Sequence, residues 1–196
     1  MSRLNERLIE TMVDYARRPE PPPPSYSIVT PLRATLRFLD AHSRRRLADL
    51  PFLLVDLKFG DEYTWTRLLR TPAAPRSTPR SPPGRRSAAD VRALALARGV
   101  TVFAWHIVQG QPEDAAIHLG VTEPVAALLR GADLLDLDRA AIRVADQCGP
   151  RWSDRPAAWQ YLLKHAAQPT ASATQQTVYA LQLLGGDLGA FDKLGR

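Results

Sequence analysis

The side chains able to do acid–base, nucleophilic or metal chemistry are four histidines, one cysteine and a small cluster of aspartates. His42, His106, His118 and His165 fall in four separate expected elements, with no HExxH or HxH spacing to bring two imidazoles onto one metal. Cys148 stands before Gly149-Pro150 at the end of an expected helix, not at a helix N-terminus that would stabilise a thiolate. As the single cysteine it forms neither an internal disulfide nor a Cys-rich zinc site, which suits a reducing cytosol. Asp133, Asp136 and Asp138 crowd one segment, where capping and a solvated face both use carboxylates. The chain carries no glycine-rich phosphate loop and no G-x-S-x-G elbow. These residues make no catalytic, cofactor or metal set, so the expectation is a protein that is not an enzyme.

A second pattern concerns binding. Glu113 to Leu129, EDAAIHLGVTEPVAALL, reads like a helix-turn-helix. Ala116 would sit where two helices touch, Gly120 would allow the tight turn, and Val125 and Leu129 would pin the second helix. A structural or partner-binding corner would use the same residue types. A DNA-reading helix needs base-reading side chains and cations near its start. Here that end offers Thr122, Glu123 and Pro124, and only Arg130 is basic.

Residues 96–142, including FAWHIVQGQPEDAAIHLGVTEPVAALLRGADLLDLDRAA, resemble the core of FlhD, the flagellar master transcriptional regulator. The shared elements are a leading helix, an acidic-alanine turn into Leu119-Gly120, then Val121-Thr122-Glu123, Val125-Ala126 and Leu135. The resemblance implies a bacterial, all-helical protein, a homodimer as one option, acting with a protein partner on promoter DNA. Residues 1–90 have no counterpart in it. The partner in that family, FlhC, holds zinc through a cysteine cluster, and one cysteine excludes that role here.

Arg151-Trp152-Ser153-Asp154-Arg155-Pro156 followed by Trp159 is the most distinctive short string. Trp and Arg dominate interface energies, so Glu123, Arg151, Trp152, Arg155 and Trp159 are the candidate partner-binding residues. The two tryptophans could equally close the core, with the arginines stacked outside.

The chain carries 26 cationic and 20 acidic residues, formally +6. Only Lys58, Lys164 and Lys193 are lysine, and this arginine bias beside 17 prolines matches a GC-rich coding sequence. Arg76, Arg80, Arg85 and Arg86 stand in a stretch without acids, and the part from residue 87 onward is slightly acidic. Those four arginines, with Thr122 and Arg130, are the candidate DNA-contacting residues. The C-terminal part should therefore bind DNA weakly by itself. No apolar run approaches the ~18–20 residues of a bilayer span and no signal peptide opens the chain, so a soluble cytoplasmic protein without membrane contact is expected.

Periodicity and punctuation give an all-α expectation of two helical lobes. Residues 1–18 should form a helix capped by Ser2, standing as an arm before the stiff proline spacer 19–26. Residues 27–70 should form an N-terminal lobe, with Thr30 and Ser43 as helix caps and the aromatic residues near 63–65 in its core. Residues 52–59 read equally as a buried strand or a helix. The Pro/Arg-rich stretch 71–86 reads as a disordered linker. Residues 87–184 should form a C-terminal helical domain and 185–196 a flexible tail. The alternative function is an adaptor or assembly subunit that binds a protein and no nucleic acid.

Overall fold

The computed structural model describes residues 1–70, 88–110 and 112–168. The linker 71–86 with its four arginines, the helix expected after Thr170 and the tail 185–196 lie outside the described residues. Within them the fold is all-α, as expected, with only one two-residue strand pair. The helices are α1 (Ser2–Arg17), α2 (Val29–Arg37), α3 (Ala41–Ala48), α4 (Glu62–Arg70), α5 (Ala88–Gly110), α6 (Pro112–Leu119), α7 (Glu123–Arg130), α8 (Leu134–Val144) and α9 (Pro156–Ala167). The strands are β1 (Val55–Asp56) and β2 (Gly149–Pro150). The ambiguous stretch 52–59 is thus neither a helix nor a full strand.

The chain divides into two compact units, and the division differs from the one expected. One unit takes Met1–Val55 together with the chain from Gly149, and the other takes Asp56–Cys148. The reason is where the apolar stripes find cover. The first helix does not stand away as an arm, because Leu8, Ile9, Met12, Val13 and Ala16 are all buried and α1 packs on α2 and α3. The Trp159, Leu162 and Leu163 side of α9 is buried in this same unit, where α9 packs on α2 and α3.

Polar detail fixes the first unit as firmly as its apolar core. Asn5 is fully buried on α1 and donates through Nδ2 to Phe52 O at 2.9 Å and Ala48 O at 3.2 Å. Its Oδ1 accepts from Leu54 N at 2.8 Å. One carboxamide therefore satisfies three backbone groups, one at the last residue of α3 and two in the irregular segment after it. Ser2 does not cap α1, since its hydroxyl donates to Asp49 instead. Asp40, rather than Ser43, caps α3: its carboxylate accepts from Ser43 N at 2.9 Å and Ser43 Oγ at 2.6 Å. An acceptor is what free N-terminal N–H groups need, and Asp40 precedes them at the required spacing. Thr30 likewise lies inside α2 and does not begin it. Gly149 is needed by close approach, because a Cβ there would collide with the backbone of Ser25.

In the second unit α4 packs on α7 and α8, and α5 packs on α6, α7 and α8. Phe59 and Trp65 stack at 5.1 Å and are buried, whereas Tyr63 is 70% exposed and is not part of the core. The membrane expectation needs one correction. The segment Asp90–Gly110 is long and apolar enough to cross a bilayer by length and composition, with mean hydropathy 1.4 and a third of the span buried. Alanine, glycine and threonine interleaved with Leu, Val and Trp give that mean without one unbroken apolar run. In this fold Leu96, Ala97, Val100, Ala104 and Val108 form its buried stripe.

Two outcomes follow. Asn5→Ala leaves the Leu54 N–H buried without its acceptor and should cost roughly 2–4 kcal/mol in urea unfolding. The Asp40 carboxyl is held down at about 2, against its usual 3.8, chiefly by the Ser43 hydroxyl and then by Ser43 N–H. A group depressed in the folded state stabilises it above the unfolded value and loses that contribution as pH falls through the folded one. Stability should therefore decline as the pH drops from about 4 to about 2, with Asp40→Asn showing a shallower decline in acid melts.

Candidate functional site

The α6–α7 corner is the candidate site with the clearest geometry. Gly120 has φ 69°, the left-handed conformation that lets the chain reverse between α6 and α7. Val125 and Leu129 are fully buried, as expected for residues that pin the second helix. Ala115 rather than Ala116 is the fully buried small residue of α6. Thr122 stands at the N-cap of α7, but its side chain does not cap the helix; its hydroxyl turns to Phe59 O at 3.5 Å.

The charges of α7 are spent on one another. Arg130 Nη2 meets Glu123 Oε1 at 2.6 Å, across two turns of the helix, with Glu123 76% exposed at its side chain. Gln109 donates to Arg130 O at 3.0 Å, tying the end of α7 to the end of α5. Glu123 also suits the positive end of the helix dipole, where a carboxylate is favoured. The exposed residues Glu123, Pro124, Ala127 and Arg130 present a near-neutral face, not a cationic one. Such a face attracts phosphate poorly and accepts a protein surface without a large electrostatic cost.

The tryptophan string is placed differently from a surface hot spot. Trp159 is fully buried and donates Nε1–H to Arg151 O at 2.7 Å. Trp152 is 6% exposed and meets Phe52 edge-on at 5.6 Å, with the Arg151 guanidinium 4.9 Å from its ring centre. Arg151 is itself buried and Arg155 half-buried. The two indoles, which the sequence left open between partner anchors and core, are core residues. The backbone at Trp152 has φ 54°, a conformation bulky residues rarely adopt, and it is held by these contacts.

The structure brings out a feature that sequence reading passed over. Leu134 and Leu135, the first residues of α8, are 62% and 66% exposed. Three residues separate them from the end of α7, and they open α8 with two exposed apolar side chains. The signal was available: Leu137, Ala140, Ala141 and Val144 form the buried stripe of α8, and two adjacent leucines ahead of it fall off that stripe. Farther along, Arg98 of α5 grips Asp138 of α8 through two bonds of 2.7 and 3.3 Å. A cleft of about 460 Å³ is lined by Asp90, Leu94, Ile142, Arg143 and Asp146. Arg143 also donates to Leu68 O at 3.3 Å.

The histidines stay apart, and no group of three His, Cys, Asp or Glu that could hold a metal occurs among the described residues. His165 Nδ1 lies 2.9 Å from Tyr161 O, one turn back on α9, and its ring stacks on Tyr161. Cys148 is buried, and loss of solvation, reinforced by the Asp56 charge, pushes its thiol up to about 12. That is the opposite of the shift a nucleophilic thiol needs. In the native protein Cys148 should not react with an aromatic disulfide reagent at pH 8, while stoichiometric reaction should appear once denaturant exposes it.

Comparison with protein-family models, with curated proteins and with solved structures gives no match to this chain.

Proposed function

We propose that this chain is a regulatory protein of the FlhD-like kind, acting through contacts with a protein partner and reaching promoter DNA only within that complex. The observation that carries this reading is the corner: a tight α6–α7 turn whose charges are mutually paired, followed at once by the exposed Leu134 and Leu135. A self-neutralised helix followed by two exposed leucines favours desolvation against protein, and offers phosphate little. Arg76, Arg80, Arg85 and Arg86 would add nonspecific phosphate contact to such a complex. The second reading is an adaptor or assembly subunit with no nucleic acid at all. It is favoured by the same Glu123–Arg130 pairing, which withdraws the one cation of α7 from any groove.

The test is recovery of promoter fragments with tagged full-length protein after crosslinking in its own cells. The regulator reading expects enrichment of particular promoters, lost in Leu134→Ser/Leu135→Ser and retained when Thr122 is changed to Ala. Partner recovery without any promoter enrichment would sink the regulator and leave the adaptor. In purified form, binding of duplex DNA should disappear at ~150 mM salt and when the four linker arginines become alanine. Duplex binding that survives both changes and is lost when Thr122 and Arg130 become alanine would mean that the corner reads DNA unaided, against this proposal.

A further inference from the structure

We infer that the turn between α2 and α3 is a binding surface for single-stranded nucleic acid, with Arg37 and Arg45 meeting phosphates and Phe38 stacking a base. This surface lies in the other unit from the corner discussed above, and the inference does not rest on the regulatory reading.

Phe38 is 86% exposed, the most exposed large apolar side chain among the described residues. It is the C-cap of α2, in the turn that leads to the start of α3 at Ala41. Arg37 immediately before it is exposed, and so are His42 and Arg45 on α3. Arg37 adjoins Phe38 in the chain, and Arg45 lies about 6 Å along the axis from the first residue of α3. Neither the Arg37 nor the Arg45 guanidinium has a hydrogen bond or an ion pair among the described residues.

The contrast with the rest of the molecule gives this its weight. In the second unit Lys58, Arg98, Arg130 and Arg139 each meet a carboxylate. On α1 the cations Arg3 and Arg7 alternate with Glu6 and Glu10 at helical spacing, so that face is of mixed sign. Helices α2 and α3 carry Arg33, Arg37, Arg44, Arg45 and Arg46 against two acids, Asp40 at their junction and Asp49 at the C-cap of α3, where it accepts from the Ser2 hydroxyl. Both Asp40 oxygens accept from Ser43 and the carboxylate keeps its negative charge, so the two helices stay positive by the excess of arginine. Arg33 and Arg46 bond backbone carbonyls, of Glu20 at 3.2 Å and of Gln168 at 2.8 Å, so their positive charge meets no carboxylate there.

The chemistry that fits is a polyanion with an accessible flat face. Guanidinium groups match phosphate oxygens, and phosphate neutralisation supplies the affinity. An exposed phenyl ring gains by stacking on a base, and only an unpaired strand offers base faces freely. In a duplex those faces are already stacked, so Phe38 would contribute nothing there.

The test is fluorescence anisotropy of the full-length protein with labelled oligothymidylate and with a duplex of equal length, across a salt series. The wild type should prefer the single strand. Phe38→Ala should weaken single-strand binding at least about fivefold and leave duplex binding unchanged, while Phe38→Trp should restore it. Arg37→Ala with Arg45→Ala should flatten the salt dependence of the single-strand constant by about 1.4 in slope. Changing Arg76, Arg80, Arg85 and Arg86 to alanine should leave the single-strand preference in place. Arg37, Phe38 and Arg45 are exposed, and melting curves check that each variant is folded. Equal affinity for single strand and duplex, or no effect of Phe38→Ala, would overturn the inference. Binding to phosphatidylserine vesicles or polyglutamate with no binding to the oligonucleotide would overturn it too.

Discussion

The buried carboxamide of Asn5 is the joint on which the first unit depends. The segment after α3 is irregular, and irregular backbone cannot be buried unless its N–H and C=O groups find partners. Asn5 supplies one acceptor and two donors from a rigid helix, meeting Leu54 N–H and the carbonyls of Ala48 and Phe52. With those groups satisfied, Phe52, Leu53, Leu54 and Val55 can all be buried. Phe52 then meets the edge of Trp152, and Leu54 O accepts from Arg151 N at 2.7 Å. The aromatic string that reads as a surface motif is thereby drawn inward.

The second unit is organised around different contacts. Phe59 and Trp65 stack, Trp65 donates to Leu57 O at 3.2 Å, and Phe59 O receives the Thr122 N–H and hydroxyl. The start of α7 is thus fastened to the turn before α4, and the corner is held by backbone geometry at Gly120 together with this tie. The side of α7 that carries Glu123, Pro124, Ala127 and Arg130 is left exposed. Glu123 and Arg130 on it pair with one another, and Leu134 and Leu135 at the start of α8 are exposed as well.

Charge is divided between the units in a way that the formal +6 conceals. Lys58, Arg98, Arg130 and Arg139 of the second unit meet carboxylates, while Arg143 there bonds a carbonyl and Arg67 lies over the Tyr63 ring. The arginines of α2 and α3 that bond do so to carbonyl oxygens. Unpaired arginine next to an exposed phenyl ring is a different kind of surface from a paired corner beside leucines. One suits a polyanion with open bases and the other a protein face, so a single chain can carry two recognition chemistries.

Much of the helical architecture was legible in the order of residues. The stripe Leu8, Met12, Tyr15, the stop at the proline run, Gly120 in the turn, Asp133 as a cap accepting from Asp136 N, and Pro156 opening α9 are local features, and local physics decides them. Which stripe covers which was not legible. That α1 is core and not an arm, that α4 packs with α7 and α8, and that α9 lies on α2 and α3 depend on the meeting of residues far apart in the chain. The same holds for Trp152 and Trp159, whose types suit a core and an interface equally until Phe52 is known to be there. Pairing was equally hidden: the spacing of Glu123 and Arg130 permits a contact, but only the fold decides whether it forms. Residue type and spacing determined the elements and their ends, because hydrogen-bond caps, glycine turns and proline stops act within a few residues. Only the tertiary structure decided which charged and aromatic side chains were left over for binding, because burial and ion pairing depend on neighbours distant in the chain.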